Sequence, residues 1–137
     1  LQERHNWMLQ DKYASMAADA MAESYLTEDA EILLTGYGTS SRVARSAVDA
    51  LRNEGIKAGL FRPMTLFPFP TRQLNEAARA GRVLVVELSN GQYRDDVLLH
   101  LDRDMSCRVE LINRMGGNMM KVEDVVAAAR RMLEVRA

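Results

Sequence analysis

The chain has 137 residues, of which 47% are hydrophobic and 27% charged, and a net charge of -1. That length suits one domain that buries roughly two thirds of its unfolded surface without covalent staples. The charge balance argues against nucleic acid, whose phosphates demand a basic face; no apolar run approaches the ~20 residues of a membrane span, and no signal-peptide pattern is present.

Cys107 is the only cysteine. It excludes an internal disulfide, and this chain alone cannot supply the four thiolates that an iron–sulfur cluster usually takes. A partly buried, inert thiol in a reduced, cytoplasmic setting fits. The first residue is Leu1 rather than methionine, as expected of a chain continuing from something longer.

Residues 1–26 read as a helix. Met16, Ala17, Ala20, Met21 and Ser24 recur at helical spacing, with Tyr13 one turn earlier, and alanine and methionine are good helix formers. His5, Trp7 and Met8 either contact a neighbour or pack loosely. Thr27–Glu28–Asp29 breaks the pattern. Residues 1–28 are therefore expected to be a helical arm or linker from a preceding domain, and 29–137 the domain proper.

Ile32–Leu33–Leu34 is too short and too apolar for anything but a strand buried on both faces. Gly36 and Gly38 then turn the backbone, and Thr39, Ser40 or Ser41 is placed to cap a helix. That helix shows one apolar face through Val43, Ala44, Ala47, Val48 and Leu51, and ends at Asn53–Glu54–Gly55, the glycine suiting a left-handed position. Ile56–Phe61 is a second strand, reached by a right-handed crossover.

All three prolines fall in Arg62–Pro63–Met64–Thr65–Leu66–Phe67–Pro68–Phe69–Pro70. Each removes a backbone donor and extends its predecessor, so a rigid loop carrying apolar side chains is expected from Pro63 onward. Thr71 then caps a helix through Leu74, Ala77 and Ala78 that ends at Gly81. Arg82–Leu88 is a valine-rich third strand, followed by the polar turn Ser89–Asn90–Gly91–Gln92. A helix from about Arg94 to Asp102 is expected to bury Val97, Leu98 and Leu101. Arg108–Asn113 is a fourth strand, Arg114–Asn118 a loop, and Val122, Val125, Val126, Ala129 and Leu133 mark a last helix.

Strands alternating with helices define an α/β protein with a mostly parallel sheet. The simplest order of the four strands is 2-1-3-4, which places the reversal between the first and third. Sites in such sheets form at that point, beyond the carboxyl ends of the strands. The reversal brings Gly36, Gly38, Thr39, Ser40 and Ser41 beside Ser89, Asn90, Gly91 and Gln92. These turns are candidates for a small ligand, such as an anion held by free helix N–H groups, or for contact with another domain or subunit. Gly36-x-Gly38-x-x-Ser41 lacks the third glycine of a dinucleotide fingerprint.

Little else in the chain points to catalysis. There is no P-loop, zinc spacing or nucleophile elbow, and no catalytic residue or metal ligand is assigned. His5 and His100 sit in no catalytic pattern. Asp95–Asp96 is explained by the dipole of a helix start. Arg62 and Arg114 each follow a strand, where they serve a local salt bridge, a partner carboxylate or a cofactor phosphate.

Gly36–Tyr37–Gly38–Thr39–Ser40–Ser41–Arg42–Val43–Ala44, Gly59 through Pro70, Val83 through Gln92, and Arg114–Met115–Gly116–Gly117 together resemble the C-terminal domain of 2-oxoacid:ferredoxin oxidoreductase alpha subunits, from about residue 26 to the end. The Pro-Phe-Pro run and the Arg-Met-Gly-Gly ending look most like the 2-oxoisovalerate, branched-chain type. The resemblance implies a transketolase C-terminal-like, three-layer α/β/α sandwich around a mixed five-stranded sheet with one antiparallel strand. Only four strands emerge from the residues themselves, so the fifth either lies in 1–29, against the helix expected there, or is absent.

The resemblance further implies an enzyme using thiamine diphosphate, Mg2+, iron–sulfur clusters and coenzyme A, all held mainly on other domains or on beta, gamma and ferredoxin-like subunits, with ferredoxin as electron acceptor. This chain has no Gly-Asp-Gly diphosphate motif and no cysteine set, so no cofactor is expected in it, nor activity alone. Arg62, Met64, Leu66, Phe67, Phe69 and Arg114 are the candidate interface residues. A homodimer is also compatible with a chain parted from its partners, and a small-ligand or regulatory module is the alternative reading.

Overall fold

A computed structural model describes residues 20–104, 107–114 and 120–134. The elements run β1 (Ala22–Tyr25), β2 (Ile32–Thr35), α1 (Thr39–Asn53), β3 (Ala58–Pro63), α2 (Thr71–Ala77) with a 3-10 turn at Ala78–Ala80, β4 (Arg82–Glu87), α3 (Gln92–His100), β5 (Arg108–Asn113) and α4 (Val122–Glu134). They build one five-stranded sheet in the order β1-β3-β2-β4-β5. β2, β3, β4 and β5 pair in parallel, and β1 lies antiparallel on the outside of β3.

The four strands expected from periodicity thus stand in the expected order. The fifth strand corrects the helix expected over 1–26: Ala22, Glu23, Ser24 and Tyr25 pair with Pro63, Arg62, Phe61 and Leu60. The rest of that helix, with His5, Trp7 and Met8, lies outside the described residues. The sheet therefore begins ahead of residue 29, where the domain was expected to start. Strong helix formers lose here to a tertiary partner, because β3 offers an unpaired edge whose hydrogen bonds β1 satisfies.

Alternate residues of the strands feed two cores. Ile32, Leu34, Leu60, Leu84 and Val86 pack on one face with Ala44, Val48 and Leu51 of α1 and Val125, Ala129 and Met132 of α4. Leu33, Phe61, Val83 and Val85 pack on the other with Leu74 of α2 and Tyr93 and Val97 of α3. Ile32, Leu33 and Leu34 are all fully buried, each contributing about 1.5–3 kcal/mol of transfer free energy. The result is three layers, with the sheet in the middle.

Three local expectations change. Helix α1 is preceded by Gly38, with φ of 58°, in the capping position, so it has no side-chain cap; the Ser41 hydroxyl donates to the Gly38 carbonyl at 2.6 Å instead. Helix α2 is preceded by Pro70, and Thr71 is already its first residue, so the Thr71 hydroxyl cannot cap it. Helix α3 buries Tyr93 and Val97, whereas Leu98 is 51% exposed. Gly55 does take the left-handed position, with φ of 85°, its N–H bonded to the Arg52 carbonyl.

Candidate functional site

The carboxyl ends of β2 and β4 lie side by side, with Thr35 opposite Val85. Gly36 passes so close to β4 that a Cβ there would sit 2.9 Å from the Val86 carbonyl oxygen. The two glycine turns do meet at the reversal of strand order. Tyr37 joins them, its ring edge-on to Tyr93 with centroids 5.2 Å apart. Below it the Tyr93 hydroxyl donates to Thr35 Oγ1 at 2.7 Å, and Thr35 donates in turn to the Phe61 carbonyl at 2.8 Å. Burial raises the Tyr93 phenol far above its ordinary pKa.

The dominant group here escaped sequence reasoning. Glu87, the last residue of β4, is 1% exposed. Its Oε1 accepts from the N–H groups of Gly91 at 3.0 Å and Tyr93 at 3.3 Å and from the Ser89 hydroxyl; its Oε2 accepts from the Arg94 N–H at 3.0 Å. The carboxylate therefore caps α3 from inside the protein, where the helix dipole favours negative charge. The signal was present in an acidic residue closing an apolar strand just ahead of a glycine-started helix.

Glu87 also decides what the turn at Ser89–Gln92 can hold. The N–H groups that would receive an anion are taken by the chain's own carboxylate. Asn90 N–H goes to Gln92 Oε1 at 3.2 Å, and the Ser89 carbonyl accepts from Asn113 at 2.9 Å. These donors of the turn are thus engaged within the chain. Among the described residues, no three His, Cys, Asp or Glu side chains gather as metal ligands. Across the crevice, Gly38 and Thr39 are exposed while Ser40 and Ser41 are buried.

The proline loop divides into an outer and an inner half. Met64, Leu66 and Phe67 are exposed, Phe67 by 77%. Phe69, expected at the same surface, is instead 8% exposed and stacks on His100 with ring centroids 4.3 Å apart; it belongs to the core. Thr65 braces the loop, accepting from Met21 N–H at 3.0 Å and donating to the Pro68 carbonyl at 2.9 Å. Met21, 54% exposed, extends the apolar surface. Arg62 pairs with Glu23 at 3.1 Å and Arg114 with Asp124 at 3.3 Å, both half-exposed local bridges. His100 bonds through Nδ1 to the Asp96 carbonyl at 2.7 Å. No helix among the described residues is long and apolar enough to cross a membrane.

Two buried helical layers on a mostly parallel sheet, with Glu87 capping α3 at the switch point and an apolar loop at its edge, define a transketolase C-terminal-like domain. The fold matches that of a split-gene transketolase in an inactive beta4 tetramer, with a TM-score of 0.72 at 23% identity over 85% of this chain and 42% of that one. It matches more fully a 2-oxoglutarate:ferredoxin oxidoreductase from Magnetococcus marinus, with a TM-score of 0.81 at 18% identity over 98% of this chain and 24% of that one.

The family model described as pyruvate:ferredoxin oxidoreductase core domain II matches residues 30–125, and the chain belongs to that family. It is 47% identical over 133 residues to the ketoisovalerate oxidoreductase subunit VorB of Methanothermobacter marburgensis; the match covers 95% of this chain and 37% of that subunit, so the chain spans little over a third of its relative's length.

Proposed function

We propose that this chain is the core domain II portion of the alpha-type subunit of a 2-oxoacid:ferredoxin oxidoreductase. The parent enzyme oxidatively decarboxylates a branched 2-oxoacid, 2-oxoisovalerate, to its acyl-CoA and passes the electrons to ferredoxin in the cytoplasm. The observation that carries this reading is the 47% identity to a ketoisovalerate oxidoreductase subunit across nearly the whole chain.

Within that enzyme the domain shapes and joins. Thiamine diphosphate, Mg2+, the iron–sulfur clusters and CoA belong to other domains and to beta, gamma and ferredoxin-like subunits. Glu87 supports this division, since it spends the helix N-terminus at the switch point on an internal bond. Met64, Leu66 and Phe67 face a partner domain or subunit, and Tyr37 with Gly38 and Thr39 forms a second contact at the strand ends.

The test is to purify the full enzyme carrying this chain and follow CoA-dependent reduction of ferredoxin with 2-oxoisovalerate, 2-oxoglutarate and pyruvate. The expected result is the highest kcat/KM for 2-oxoisovalerate. A preference for 2-oxoglutarate or pyruvate overturns the substrate assignment, and turnover by this chain alone overturns the division of labour.

A further inference from the structure

The sheet ends in β1 on one side and β5 on the other, and no described residue covers the outer edge of β5. In β5 the N–H of Arg108 bonds the Gly81 carbonyl at 2.9 Å, and the N–H of Arg114 bonds the Glu87 carbonyl at 3.3 Å. Backbone direction alternates along a strand, so Arg108, Glu110 and Ile112 turn their amides toward β4. Val109 and Leu111 turn theirs away from it. Among the described residues these outward groups meet no backbone partner, which makes β5 a template for another strand.

The side chains say which strand fits. Arg108 and Glu110 share one face of β5 and form an ion pair at 2.7 Å. Val109 and Leu111 lie on the other face, half-buried against the core that contains α3. The edge is therefore charged on one face and apolar on the other.

We propose that the β5 edge pairs with the β5 edge of a second copy of this chain, antiparallel and with Val109 opposite Val109. Only registers that set outward-facing residues against each other allow the hydrogen bonds. In this register Arg108 of each copy faces Glu110 of the other, so two opposite-charge cross-strand pairs form on one face. Val109 packs on its own copy across the two-fold axis, and Leu111 faces the second copy's Cys107. Moving the axis to Glu110 sets carboxylate against carboxylate, and moving it to Arg108 sets cation against cation. Charge complementarity selects both the partner and the alignment, and the five-stranded sheet continues across the axis into its copy as an isologous interface.

Sedimentation equilibrium of the 137-residue chain tests this. The expected result is a reversible dimer, twice the chain mass of 15.4 kDa. Glu110→Arg sets Arg against Arg and is expected to weaken dimerisation at least tenfold. The double exchange Arg108→Glu with Glu110→Arg restores complementarity and is expected to recover it. Val109→Pro removes only an outward N–H and is expected to give a folded monomer, checked by its circular dichroism and Tm. A chain that stays monomeric at every concentration overturns the proposal, as does a dimer indifferent to Glu110→Arg or one that the double exchange fails to rescue. Each outcome is independent of which 2-oxoacid the parent enzyme takes.

Discussion

Thr35 and Tyr93, 58 positions apart in the chain, share a buried hydrogen bond of 2.7 Å that ties the end of β2 to the first turn of α3. Thr35 Oγ1 spends its own proton on the Phe61 carbonyl, so the proton between them is Tyr93's. This order predicts an asymmetry. Tyr93→Phe removes the donor and is expected to cost about 1 kcal/mol, while Thr35→Val strands both the phenol and the Phe61 carbonyl and is expected to cost about 2–3 kcal/mol. Urea unfolding of the two variants checks the ranking.

The same phenol makes stability fall in alkali. Burial raises the Tyr93 pKa above the value of 10.0 it has when exposed, so the native state holds a proton that the unfolded state releases. The resulting stabilisation is fully present below pH 10 and declines as pH climbs toward the raised native value. Tyr93→Phe is expected to flatten the Tm profile above pH 10 relative to the parent, measured on the two proteins side by side.

Removing the Glu87 carboxylate should do two things. Glu87→Ala strands the N–H groups of Gly91, Tyr93 and Arg94 and is expected to cost about 2–4 kcal/mol. It also vacates an anion position at the start of α3. Sulfate is therefore expected to raise the Tm of this variant by several degrees more than that of the parent, with Glu87→Gln in between.

The exposed proline-loop side chains are expected to matter for assembly and not for folding. Phe67→Ser or Met64→Ser should shift the stability of the chain by less than about 0.5 kcal/mol, as surface changes usually do. Phe69→Ala, two residues on, removes a buried ring and is expected to cost about 3–5 kcal/mol. Thermal melts of the chain, set against recovery of the intact complex from a co-expression, separate the two roles.

The parallel half of this fold was legible because its strands are short apolar runs closed by glycines: Ile32–Leu34 before Gly36, and Val83–Val86 after Gly81. Periodicity failed where a partner across space decides the outcome. Ala22–Tyr25 has a helix former's composition and becomes a strand because β3 is beside it. Helical spacing alone placed Leu98 inside; packing turned Tyr93 and Val97 inward and left Leu98 exposed. The two glycine turns were placed side by side through the reversal of strand order. The part Glu87 plays there was not read: an acidic residue closing an apolar strand ahead of a glycine-started helix is its local sign, but which N–H groups the carboxylate reaches is set by how the turn folds.

Gly59 sits beneath the turn that joins β1 to β2. A Cβ there would lie 2.7 Å from the Leu26 carbonyl oxygen and 2.9 Å from Thr27 Cα, and Arg52 clamps the same turn through the Leu26 carbonyl at 2.8 Å and Asp29 at 2.7 Å. The room for a hydrogen in place of a methyl at one β3 position thus sets the bearing on which the polypeptide arrives from Met21. Any added bulk at Gly59 would act as a wedge under Leu26 and Thr27, prising β1 from β3 and lifting Tyr25 and Ala22 off the two cores they cover.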